Sequence, residues 1–137
     1  MSSIHDTAAQ FFDACESGKG WEGCERWCHP DASFSAQADS LAETTTLAAY
    51  CDWMRGLLGP IPDGRYELKA MAVDEGRRTA VAFAVFHGTH SVDGPVSATG
   101  ETVATDYVYA MEFDDERIRH MTKIWNDGHA LKQLGWA

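Results

Sequence analysis

The sequence predicts an α+β domain in which helices from the first half of the chain pack on a curved antiparallel sheet from the second half. Before residue 60, apolar residues recur at helical spacing, whereas alternating segments rich in β-branched and aromatic residues follow it. Neither a linker nor an internal repeat interrupts the 137 residues, so one domain over residues 1–137 is expected.

Three helices are predicted in the first part of the chain. The first covers 4–17, with Ser3 as its N-cap, and its stripe consists of Ile4, Ala8, Phe11, Phe12 and Cys15. A short second helix ends at Pro30 and carries Trp21, Cys24, Trp27 and Cys28 on one side. The third helix begins near the Thr44-Thr45-Thr46 run, which offers an N-cap, and ends at Gly59-Pro60.

Strands are predicted for most of the remaining chain. Their ranges are 31–37, 66–74, 79–90, 101–113 and 118–127, and a last helical turn or two covers 129–134. The segment 79–90 is apolar on both faces, which predicts a central strand or one with both faces covered. Because the helical stripes must cover one face of the sheet, incomplete closure would leave a cavity between them.

Composition and charge exclude several classes of partner. A formal net charge of −10 repels phosphate backbones and anionic lipids, so neither nucleic acid nor a membrane surface is expected as a partner. No apolar run approaches the ~18 residues that span a bilayer, and the N-terminus lacks the pattern of a signal peptide. We therefore expect a cytoplasmic protein with reduced cysteines.

The last predicted hairpin carries the residues that suggest a ligand pocket. Pairing Met111 with His120 would place Asp106, Met121, Lys123 and Trp125 on one face. That face combines small, large and charged side chains, as a pocket wall does, and it puts Asp106 within reach of Lys123. A bulge in the hairpin would exchange the two faces.

Two motifs in the second half resemble a known family. Gly88-Thr89-His90, the loop with Gly94-Pro95, and Thr99-Gly100 resemble the pattern of SnoaL-like polyketide cyclases, and 125–135 resembles their C-terminal ending. The family belongs to the nuclear-transport-factor-2-like superfamily. The resemblance implies a cone-shaped domain, usually a homodimer, with a deep apolar pocket and no cofactor in many members. Asn126 stands where the cyclases have their acid–base aspartate, unless the ending shifts so that Asp127 serves.

Four residues are candidates for catalysis, and each also has a structural interpretation. Lys123 would bind anionic groups or act as a base, or else form an ion pair with Asp106 or be exposed on the outer face. Asp106 would be a catalytic group itself or only the partner of Lys123. Asp127 would transfer protons or cap the last helix, and His90 would transfer protons or be a hydrogen-bonded strand end. The predicted ligand contacts are Trp27, Phe34, Trp53, His87, Met121, Trp125 and Asn126. No metal is expected, because Cys24, Cys28 and His29 lack a second pair of ligands.

Three functions remain open from the sequence. The first is cofactor-free acid–base catalysis on a small apolar carbonyl or ring compound. The second is a module that binds such a molecule without changing it, which Asn126 favours. The third is a dimeric association domain with Tyr107, Tyr109, Met111 and Ile124 in its interface.

Overall fold

The computed structural model describes residues 3–137, and its helices begin where local capping signals predict them. The four helices are α1 (Ile4–Glu16), α2 (Gly20–Cys24), α3 (Leu47–Leu57) and α4 (Asp127–Leu134). Ser3 Oγ accepts a hydrogen bond from the Asp6 amide at 3.0 Å, and Thr46 Oγ1 accepts one from the Ala49 amide at 3.2 Å. None of the helices within the described range is long and apolar enough to cross a membrane.

The sheet has five strands in the order β1-β5-β4-β3-β2, and it is curved and open. The strands are β1 (Cys28–Ala36), β2 (Arg65–Asp74), β3 (Thr79–Thr89), β4 (Thr102–Asp114) and β5 (Arg117–Trp125). β2 to β5 are joined antiparallel, as expected, whereas β1 lies parallel to β5. The α+β class is confirmed, and the sheet is mixed rather than purely antiparallel.

The second helix is shorter than predicted. α2 ends at Cys24, a single 3-10 turn follows, and β1 begins at Cys28, so Trp27 and Cys28 do not continue a helix. β1 includes Pro30, which cannot donate a backbone hydrogen bond. Such a residue is tolerated because β1 is an edge strand.

A bulge in the last hairpin exchanges the two predicted faces. Phe113 pairs with Ile118 as expected, but Glu112 pairs with His120, which leaves Arg119 as an extra residue on β5. Beyond the bulge Met111 therefore faces Met121. The predicted pairing is wrong from this point on, and the inward face of the hairpin combines side chains that the predicted register puts on opposite sides.

The core lies between this inward face and the helices α1 and α3. Phe12 packs edge-to-face against Tyr66 and stacks at 6.2 Å on Tyr107, while Phe34 stacks on Tyr50 with ring centroids 4.5 Å apart. Tyr107, Tyr109 and Met111 are buried here, so they cannot form the predicted dimer interface, whereas Ile124 remains 61% exposed on the outer face.

Candidate functional site

A large apolar cavity, the main cavity, opens between α3, α4, the loop after β3 and the inner face of the sheet. Its volume is about 580 Å³, within the usual range for small-molecule sites. Its wall includes Trp53, Leu57, Phe86, Trp125 and Trp136. The few polar groups on it include Thr105, whose hydroxyl accepts a hydrogen bond from Trp125 Nε1 at 3.1 Å.

A small void adjoins the main cavity on its inner side. Four residues line both spaces: Leu57, Phe86, Thr105 and Trp125. The void measures about 20 Å³, which is room for one water molecule, and Glu16 and Lys123 border it. The two charged groups therefore lie at the inner end of an otherwise apolar site.

Glu16 and Lys123 are connected by a chain of hydrogen bonds through tyrosines, which we call the Glu16–Lys123 network. Lys123 Nζ donates to Tyr50 Oη at 3.0 Å, and Tyr50 Oη bonds to Tyr109 Oη. The hydroxyls of Tyr109 and Tyr107 each donate to one carboxylate oxygen of Glu16. Because Tyr109 donates to Glu16, Tyr50 must donate to Tyr109, so all bonds along the chain run in one direction.

Burial shifts the pKa value of each charged group in the direction that favours its uncharged form. It lowers the pKa of Lys123 from its ordinary value of 10.5 to about 8, although the negative charge of Glu16 opposes that shift. It raises the pKa of Glu16, although Lys123 and the bonds from Tyr107 and Tyr109 act in the opposite direction. Lys123 is 5% exposed and Glu16 is 2% exposed, so solvent screens neither charge appreciably.

Aromatic rings surround the ammonium group of Lys123. Nζ lies 4.2 Å from the ring centroid of Trp125, and 5.2 Å from those of Tyr50 and Trp53. Tyr107 and Tyr109 follow at 5.3 and 5.9 Å. Ring faces attract cations at such distances, so this box offsets part of the cost of burying the charge.

Glu16 was missed by the sequence analysis, although the pattern contained a signal. It follows Phe12 by four residues and Ala8 by eight, so it continues the apolar stripe of α1. An acidic residue on the buried stripe of an amphipathic helix requires a partner inside the protein. That partner could not be identified, because the predicted hairpin register placed Tyr107 and Tyr109 away from Lys123.

Among the predicted ligand contacts, the structure places Trp53 and Trp125 on the wall of the main cavity. Phe34 and Met121 are buried in the core. Trp27 is partly buried outside the cavity, where its Nε1 donates to Gln10 at 3.0 Å. Of the predicted aromatic contacts, Trp53 of α3 and Trp125 of β5 therefore line the cavity, whereas Trp27 and Phe34 do not.

Asp127 and Asn126 hold the start of α4. Asp127 Oδ2 accepts hydrogen bonds from the amide and hydroxyl of Ser40 at 2.8 and 2.6 Å, and Asn126 Oδ1 accepts one from the His129 amide at 3.2 Å. Burial alone would raise the pKa of Asp127, but the bonds from Ser40 outweigh it and hold this pKa below its usual range. Asp127 thus connects α4 to Ser40, which lies on the cavity wall.

His90 is fully buried and fixes the loop over the cavity to the C-terminus. Its Nδ1 accepts hydrogen bonds from Trp136 Nε1 at 2.9 Å and from the Thr99 amide at 3.2 Å, so Nε2 carries the proton. Within residues 3–137, Nε2 has no hydrogen-bond partner. Thr99 also donates to the Leu134 carbonyl at 2.7 Å, so the two sequence motifs meet here.

Asp106 and His87 lie away from the network. Asp106 is exposed on the outer face of the sheet and pairs with Val85, so its predicted contact with Lys123 was wrong because the bulge turned Lys123 inward. His87 Nε2 lies 3.2 Å from Glu67 in a largely exposed pair. Asp106 and Asn126 border a second space, a groove of about 720 Å³ on the outer face, which Tyr107, Lys123 and Trp125 also border.

The cysteines are grouped differently from the predicted Cys24, Cys28 and His29 set. Cys15, Cys24 and Cys51 are buried with their sulfur atoms within 4.8 Å of one another, which is a spacing that a soft metal ion can bridge. Cys28 Sγ instead lies 3.6 Å from the Cys24 carbonyl, and His29 Nε2 lies 2.9 Å from the Asp114 carbonyl. All four cysteines are free thiols.

Solved structures with this fold cover nearly the whole chain. IdmH from Streptomyces antibioticus, a candidate polyketide cyclase, is 20% identical, with 98% of this chain and 99% of that chain covered and a TM-score of 0.79. AclR from Streptomyces galilaeus, a candidate hydroxylase, is 19% identical, with coverages of 98% and 85% and a TM-score of 0.78. A candidate polyketide cyclase from Acidithiobacillus ferrooxidans is 20% identical, with coverages of 100% and 98% and a TM-score of 0.77.

At these identities the structural matches show the fold alone. Among curated proteins, none matches the sequence significantly. A family model does match: the SnoaL-like domain, over residues 8–121, which include α1 from Ala8 onward, α3, the sheet up to Met121 and the motif around His90. The chain therefore belongs to the SnoaL-like domain family.

Proposed function

We propose that the protein binds a small, largely apolar carbonyl compound in the main cavity and catalyses proton transfer at the carbon next to the carbonyl group. The observation that carries this proposal is the void between Glu16 and Lys123 at the inner end of the apolar cavity. An apolar wall with a few convergent polar groups of shifted pKa is typical of enzyme sites. The SnoaL-like fold and its candidate cyclase neighbours agree with a reaction of this class.

The two charged groups would have complementary roles. Lys123 Nζ would donate a hydrogen bond to the carbonyl oxygen and stabilise the enolate that forms when a proton leaves. Glu16, whose pKa is raised by burial, would accept that proton and return it to another position. We give Glu16 the proton-transfer role that the sequence suggested for Asp127 or His90, because Glu16 and Lys123 border the same void.

Hydrogen–deuterium exchange tests this function without knowledge of the natural substrate. We expect wild-type protein to accelerate deuterium incorporation next to the carbonyl of 2-tetralone in D₂O, as measured by NMR. Lys123→Met and Glu16→Gln should each reduce the enzyme-dependent rate at least tenfold, since positioned acid–base groups typically contribute about 10²–10⁴-fold. Lys132→Met, which changes an exposed lysine of α4, should retain the rate.

Binding is measured separately with a matched pair of ligands. Tetralin has the ring system of tetralone without the oxygen, so wild-type protein should bind 2-tetralone about tenfold more tightly if a charged donor faces the carbonyl. The double variant Glu16→Gln/Lys123→Met should lose this preference for 2-tetralone. Because it removes both charges, it leaves no unpaired buried charge that would prevent folding. Equal affinity for the two ligands, or exchange unaffected by both single substitutions, would contradict the proposal.

Binding without reaction is the second candidate function. It is favoured by Asn126, an amide where the resemblance implies an acid–base aspartate, and by the use of Asn126 to cap α4. This function predicts that wild-type protein prefers 2-tetralone to tetralin but leaves its exchange rate at the buffer value.

We also propose that the outer face of the sheet pairs with a second copy of the chain. Phe83 and Val81 of β3 and Ile124 of β5 are 38%, 41% and 61% exposed there, which is unusual for a face left in water. Ile124→Glu should convert a dimer to a monomer in light scattering coupled to gel filtration, while exposed Val92→Glu on the loop after β3 should not. A wild-type monomer at all concentrations would refute the pairing.

A further inference from the structure

We infer that Lys123 forms a Schiff base with the carbonyl carbon of the ligand, so that the lysine is a covalent nucleophile as well as a hydrogen-bond donor. This inference rests on the proposed function, since it requires a carbonyl compound in the main cavity. Three features of the site carry it: the surroundings of Nζ, the hydrogen-bonded network to which Nζ belongs, and the void that Lys123 borders.

The surroundings of Nζ suit both the free amine and the iminium product. A buried amine loses its proton more readily than an exposed one, and the pKa of about 8 leaves a substantial neutral fraction slightly above pH 7. Once the iminium has formed, its positive charge lies close to the original position of the ammonium charge. The rings of Trp125, Tyr50 and Trp53 therefore stabilise it in the same way.

The Glu16–Lys123 network supplies a path for the proton that must leave the amine. Tyr50 Oη lies 3.0 Å from Nζ and is connected through Tyr109 to the Glu16 carboxylate. When each group along these hydrogen bonds passes one proton to the next, Lys123 becomes a neutral amine and Glu16 a neutral carboxylic acid. Because the pKa of Glu16 is raised, the carboxylate can hold that proton until it is needed.

The reaction is balanced without an oxidant or reductant. The Nζ lone pair attacks the carbonyl carbon, and the carbonyl oxygen takes up the proton held by the network, which gives a carbinolamine. A second proton then passes from Nζ to the new hydroxyl group, and the carbon–oxygen bond breaks as a carbon–nitrogen double bond forms, which leaves an iminium ion. Two hydrogens that began on the ammonium leave with the oxygen as water, and the void of about 20 Å³ is large enough to hold that water.

The chain contains its own controls for this chemistry. Lys19, Lys69 and Lys132 are exposed, whereas Lys123 borders the void. A nucleophile selected by the site should react at Lys123 alone, whereas unspecific amine chemistry should favour the three exposed lysines. Peptide mapping of a single wild-type sample can therefore separate the two.

Reductive trapping of full-length protein with 2-tetralone and sodium borohydride at pH 7.5 tests the inference. We expect a secondary-amine adduct on Lys123, detected by mass spectrometry, at least tenfold above any adduct on the other lysines. Lys123→Arg and the double variant Glu16→Gln/Lys123→Met should lose it, and Lys132→Met should keep it. Glu16→Gln should slow its formation.

Failure of the Schiff base can be distinguished from failure of the proposed function. If 2-tetralone binds and its exchange is accelerated, but no adduct forms on Lys123, the covalent step is refuted and acid–base catalysis stands. If adducts appear only on exposed lysines, the covalent step is likewise refuted. If 2-tetralone is not bound in preference to tetralin, the proposed function and this inference both fail.

Discussion

Lys123→Met is expected to lower the free energy of unfolding by about 3 kcal/mol at pH 7, because it leaves Glu16 buried without its compensating charge. Removal of one partner of a buried charge pair typically costs about 3–5 kcal/mol. We expect the lower end of that range, since Tyr107 and Tyr109 still donate to the Glu16 carboxylate. Urea-induced unfolding of the two proteins measures the difference.

The double variant Glu16→Gln/Lys123→Met distinguishes a charge effect from lost packing. With no charge left in the core, we expect it to be at least about 2 kcal/mol more stable than the sum of the single substitutions implies. Lys132→Met, on the exposed surface, should change the stability by less than about 0.5 kcal/mol. Additive single effects at Glu16 and Lys123 would show that the two groups do not interact.

The second large effect is a pH dependence of stability that originates at Lys123. Its pKa is about 8 in the folded protein and 10.5 ordinarily, so between these values the unfolded chain binds more protons at this site. The stability of wild-type protein relative to Lys123→Met should therefore rise with pH, by about 2.5 kcal/mol between pH 7 and pH 10. Below pH 7 the contribution of this site should be constant.

Comparison of two proteins is necessary because other groups titrate in the same range. Burial raises the pKa values of Tyr50 and Tyr109, and contacts with the thiols of Cys24 and Cys51, together with burial, raise the pKa of Cys15. These groups therefore make the folded state less stable as the pH rises. The part of their contributions that comes from burial is common to wild-type protein and Lys123→Met and cancels in the difference. If the stability difference between the two proteins does not change from pH 7 to pH 10, the pKa of Lys123 is not lowered in the folded protein, and the prediction is wrong.

Local signals predicted the helices, because caps and stripes act within a few residues. Ser3 caps α1 as predicted, Thr46 of the predicted threonine run 44–46 caps α3, and the stripe of α1 is buried as expected. The strands β2 to β5 were also found nearly in place, since short turns join β2 to β3 and β4 to β5. The parallel contact of β1 with β5 could not be predicted, because it joins segments about ninety residues apart.

The site was only partly predictable, because its geometry depends on a single extra residue. Lys123 and Trp125 were identified as pocket residues, and both line spaces in the structure. The bulge at Arg119 then determined which residues of β4 they would meet: Tyr107 and Tyr109 rather than Asp106. A bulge leaves little trace in the alternation of apolar and polar residues. The predicted partner of Lys123, Asp106, was therefore wrong, although Lys123 is buried, as a pocket residue should be.

The titration of the lysine side chains by NMR tests the central claim most directly. In ¹³C-lysine-labelled protein, the signal that disappears in Lys123→Met identifies the Cε atom of Lys123, and its chemical shift can be followed from pH 6 to pH 11. We predict a midpoint near pH 8 for this signal. A midpoint at the ordinary value of 10.5 would mean that the amine reaches solvent, and the buried site would not exist.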